Sequence, residues 1–212
     1  MAMQVRNYVY ISDTKIDLFY DQIASSDIEK TGAEYGIDVK ILKWVGKRET
    51  EKVITRMTKL ERVVEFIQSS MKVGTVDAPS TYFAGVLDMR WGSLFGDMAL
   101  FVGETSQTGV ALGGSVKHII GESSGGIPGT SALPAIFSVF KKHTDAEILH
   151  NELYSDMSTT TPADDLRYAW QVAASFQAPT QKLEFLARNY LFGPVADKNI
   201  LLGTPFYVAL VD

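Results

Sequence analysis

The sequence predicts an α+β fold: a mainly antiparallel sheet with helices packed mostly on one side, in a single domain over residues 1–212. Three observations predict it. Between Thr81 and Ile120, short apolar runs are punctuated by glycines too closely for crossover helices to fit, so neighbouring strands should be antiparallel. Between Glu49 and Lys72, apolar residues recur three and four apart, the period of a helix with one buried face. A β-rich run stands near each end of the chain, at residues 8–11 and 206–211.

Each element then follows from local chemistry. Tyr8, Val9, Tyr10 and Ile11 form a strand that stops at Ser12–Asp13. Asp13 can cap a helix over residues 14–24, where Ile16, Phe19, Tyr20 and Ile23 fall at i, i+3, i+4 and i+7. Residues 25–36 are polar with two glycines and read as a loop, and alternation of Ile37, Val39 and Ile41 predicts a strand over 37–45. In the helix over 49–72, Val53, Met57, Leu60, Val64, Ile67 and Met71 form one stripe. Ile54, Val63 and Phe66 widen that stripe beyond a coiled-coil seam, so the helix should lie on a sheet rather than zip to a partner. Strands are expected at 82–89, 98–103, 108–112 and 116–120, followed by a loop over 121–131. Helices are expected at 132–142 and 145–156. Thr161 caps a further helix with Pro162 at its first position, over 162–176, and another spans 180–192, split off by Pro179 and closed by Gly193–Pro194. Residues 200–202 and 206–211 make a last strand, bent at Gly203–Thr204–Pro205, that should pair with an early one.

Composition excludes several classes of function. The chain has no cysteine, so disulfides, thiolate nucleophiles and Cys-based metal sites are ruled out. A net charge of -5 argues against a face built for nucleic acid. The longest mostly apolar run, Ile127 to Phe140, is shorter than the about 20 residues a membrane span needs. The first ten residues hold no apolar signal core, and a cytoplasmic protein is expected.

No complete catalytic, cofactor or metal motif is present. Gly121 and Gly126 have the outer spacing of a phosphate-binding loop, but Ile127 and Pro128 stand where the lysine and the Ser/Thr should be. His118, His143 and His150 lack metal-ligand spacing, so neither a metal nor any other cofactor is expected. Ser115 and His118 could serve as nucleophile and base, yet positions three apart in a strand face opposite ways. Lys15 has no evident structural duty near a helix N-terminus, where a cation is mildly unfavourable, and is a candidate anion contact; the bland alternative, and the favoured one, is a solvated side chain. Arg90 and Trp91, in the run Asp88–Met89–Arg90–Trp91–Gly92, can together grip a carboxylate, a phosphate or a ring; the bland alternative is a buried Trp with Arg90 paired to Asp88 or Asp97.

Four stretches together resemble an uncharacterised bacterial family of about this length: YVYISDTKID at 8–17, YFAGVLDMRWG at 82–92, LFVGETSQTGVALGGSVKHIIG at 100–121 and LLGTPFYVAL at 201–210. The resemblance runs nearly end to end and implies a prokaryotic cytosolic protein. It makes the segments around Arg90–Trp91 and Gly113–His118 family hallmarks, and it brings no activity with it.

The leading expectation is a non-catalytic binding or sensor module for a small anionic or nucleotide-like ligand, held by Lys15, Arg90, Trp91, Ser115 and His118. The alternative is an interaction protein acting as a homo-oligomer or with a protein partner. A third reading is a hydrolase with His118 as general base.

Overall fold

The computed structural model describes residues 6–23, 54–94, 98–121 and 162–211. The loop expected at 25–36, all of the loop expected at 121–131 except Gly121, the strand at 37–45, the helices at 132–142 and 145–156, and His143 and His150 lie outside the described residues. The chain divides into two compact units: Met1–Ser12 with Lys72–Asp212, and the intervening Asp13–Met71.

The larger unit is built on strands β1 (Asn7–Ile11), β2 (Val73–Gly74), β3 (Tyr82–Leu94), β4 (Met98–Glu104), β5 (Thr108–Ser115), β6 (Thr180–Val195) and β7 (Lys198–Leu210). The sheet is mainly antiparallel, as expected, but it closes on itself. β3 pairs with β4, β4 with β5, β5 with β7, β7 with β6 and β6 back with β3, which makes a five-stranded barrel. Within this ring only β5–β7 is parallel. β3 closes it by pairing with β6 over Tyr82–Arg90 and with β4 over Met89–Leu94. β1 adds to the second half of β7, and the short β2 adds in parallel to the start of β3.

Alternation along each strand sends one set of side chains inward. Phe83, Met89, Phe101, Leu112, Leu183, Phe185, Leu201 and Val208 meet there with Tyr10 of β1. The opposite set on β4, β5 and β7 is also apolar. Met98, Leu100, Val102, Ala111, Ile200 and Leu202 form a second core with helix α3 (Pro162–Ser175) through Leu166, Ala169 and Ala173. Gly109 makes this approach feasible: a Cβ there would stand 2.6 Å from the Trp170 ring.

Two expectations about elements are corrected. Residues 180–192 are not a helix but most of β6, which runs on through Gly193 and Pro194 to a turn at Ala196–Asp197. Leu183, Phe185 and Ala187 alternate at period two and are fully buried, and pairing to β3 and β7 on both sides outweighs helix propensity. Residues 116–120 are not a strand: Val116–His118 is a 3-10 turn, and only Ile119 makes a bridge, to Tyr10.

The second unit holds helices α1 (residues 13–23) and α2 (Arg56–Ser70). Asp13 is the first helical residue of α1, not its cap, and its carboxylate accepts from Arg56 Nε at 2.6 Å and Nη2 at 2.9 Å. Lys59 reaches Asp17 at 2.6 Å, and Tyr20 lies beneath Lys59 and Arg62. The contacts Asp13–Arg56, Asp17–Lys59 and Tyr20–Arg62 advance along both helices in the same direction, so α1 and α2 run parallel. α2 starts later than residue 49, because Thr55 is extended and caps it by accepting from the Thr58 N–H at 3.2 Å. Leu60, Val63, Val64 and Ile67 keep the buried stripe, while Met57 and Met71 at its ends are exposed.

Among the described residues, no helix is long and apolar enough to cross a membrane.

Candidate functional site

Four of the five residues expected to form one site lie in the barrel unit, and they do not all come together there. Lys15 lies half-buried on α1, in the helical unit. Arg90 and Trp91 are neighbours on β3 and therefore face opposite ways. Arg90 points outward and donates to the carbonyls of Phe176 at 2.8 Å and Ala174 at 3.4 Å, so its guanidinium sits on the C-terminal end of α3, where a cation is favoured. This is a structural duty, though not the pairing with Asp88 that the sequence offered; Asp97, its other offered partner, lies outside the described residues. Ser115 closes β5 opposite Met98, and its side chain makes no capping bond to the turn that follows.

Trp91 and His118 do belong to one constellation, joined by residues the sequence did not single out. The Trp91 ring stacks on Phe101 at 5.8 Å and 13°. Phe101 meets Tyr10 edge-on at 5.6 Å, and Tyr10 meets the buried His118 edge-on at 5.9 Å. Four rings thus run in series across one end of the barrel. At the rim the Trp91 indole N–H donates to Gln181 Oε1. Gly114 lacks a side chain because the Tyr10 ring occupies that space. The end is filled.

The other end differs. Past the ring of pairings, β5, β7 and β6 continue side by side in register: Thr108 beside Asn199 beside Pro194, then Val110 beside Leu201 beside Phe192. Val110 and Leu201 are barrel interior, so Phe192 lies on the continuation of that interior face, yet it is 40% exposed. Tyr190, at a bulge between Asn189 and Leu191, is 44% exposed. Two polar atoms on this inner face are shielded and have no hydrogen-bond partner: Asn189 Oδ1 and Thr108 Oγ1. Each such orphan costs about 1–3 kcal/mol, so it needs a reason. Lys198 pairs with Glu104 at 2.8 Å, and Asp77 accepts from the Thr105 hydroxyl at 2.6 Å.

A third cluster lies on the outer side of β1, β6 and β7. Tyr207 donates to Glu184 Oε1 at 2.7 Å, Arg6 approaches the same oxygen at 3.1 Å, and Tyr8 packs edge-on to Tyr207 at 5.6 Å. Burial, then the bond to Glu184, push the Tyr207 hydroxyl well above the usual tyrosine range. A phenol that stays neutral makes this a staple for β1 rather than a reactive group.

Sequence reasoning missed Asn189, Tyr190 and Phe192 because it placed them in a helix, where their shared relation to the barrel cannot be seen. The signal was available in the alternation of Leu183, Phe185 and Ala187 just upstream.

No curated protein and no solved structure matches this chain. One family model does, over residues 6–212, and it is described as a family of unknown function (DUF7019). That match takes in every strand of the barrel and all three described α-helices, and the chain therefore belongs to the DUF7019 family.

Proposed function

We propose that the protein is a cytoplasmic, non-catalytic module that binds a small ligand at the open end of its barrel. The observation that carries this reading is the contrast at Phe192, a large aromatic 40% exposed on a strand face that is elsewhere barrel core. Aromatic side chains beside a few convergent polar atoms are the usual makings of a small-molecule site. The reactive groups have other work: Arg90 holds the end of α3, and His118 is packed against Tyr10, which speaks against a hydrolase built on it.

The strand order of the ring, numbered from β3 as 1-2-3-5-4-1 with the third and fifth strands parallel, is that of barrels that bind oligonucleotides or oligosaccharides. Such an analogy does not carry function by itself. In those barrels the outer face of the second and third strands takes the ligand, and here the outer face of β4 and β5 lies under α3. The analogy thus gives no support to a nucleic-acid partner, in keeping with the net charge of -5.

A second reading, an interaction protein that pairs with another copy of itself, draws on the edge of β6. From Leu191 to Val195 it pairs with β7 alone among the described residues. The bulge at Tyr190 and Pro194 blunt that edge, as protected edges are blunted, so the ligand reading is preferred.

Native mass spectrometry on gently purified protein separates the two. Extra mass that leaves on activation is expected. A clean multimer without extra mass would transfer the argument to the edge of β6.

A further inference from the structure

We draw no further inference here: the strongest candidate, the edge of β6 from Leu191 to Val195 with the exposed ring of Phe192 upon it, carries nothing, because nothing among the described residues shows what covers it.

Discussion

The two ends of the barrel are made from the same strands and are finished in opposite ways. At one, Trp91, Phe101, Tyr10 and His118 run in series and a single hydrogen bond to Gln181 closes the rim. At the other, Phe192 and Tyr190 stay exposed. The difference teaches that aromatic residues in a small barrel are not by themselves a sign of function. Where each ring meets another ring they are packing; it is the uncovered ring, Phe192, that packing does not account for.

The contrast can be broken first at the filled end. Phe101→Ala removes the ring shared by Trp91 and Tyr10 and should cost about 4 kcal/mol, read as a drop of about 10 °C in the unfolding midpoint. Gly109→Ala places a Cβ against Trp170 and should cost about 2 kcal/mol, with a change in near-ultraviolet circular dichroism from the displaced indole. Arg90→Met takes the cation off the end of α3 and should cost about 1 kcal/mol, with faster amide exchange confined to residues 173–176. Phe192→Ser, at the open end, should change stability by less than about 0.5 kcal/mol in a denaturant titration. A loss as large as that of Phe101→Ala would make the open end another piece of core and remove the contrast.

Alkaline titration sharpens the account of the β1 staple. The Tyr207 hydroxyl is held above its ordinary value of 10.0 in the folded chain, so its contribution is complete below that pH. Above it the unfolded chain can ionise while the folded one cannot, and stability falls as pH rises. Tyr207→Phe should be less stable than the parent at pH 8 but show a shallower decline between about pH 10 and 11.5 in denaturant midpoints.

Much of the fold was legible in the sequence. The α+β class, the antiparallel run from β3 to β5 and the helix at 162–176 follow from glycine spacing and apolar period, which act locally. Closure was not legible. It depends on β6, whose residues Leu183 to Tyr190 are compatible with either a helical or an extended reading, and the choice is made by strands about one hundred residues earlier in the chain. The candidate site suffered the same fate. Arg90 and Trp91 looked like a pair because they are adjacent in sequence, whereas a strand separates adjacent residues onto opposite faces. His118 was noticed as a base and is in contact with Tyr10 instead. Asn189 and Phe192 become a pair only once the register of β6 on β7 is known.

β7 pairs with β5, with β6 and with β1, whose partners begin at Asn7 opposite Leu210. During synthesis, then, β3, β4 and β5 can form a meander as they emerge, but β1 must wait for nearly the whole chain before its edge is covered. A meander formed in that way would leave Phe101 and Leu112 uncovered until β6 and β7 pair as a hairpin. A slowed translation through residues 116–180 would lengthen that exposure without altering a single native contact, and chaperone dependence of this protein should track the speed of that stretch more than the stability of the finished barrel.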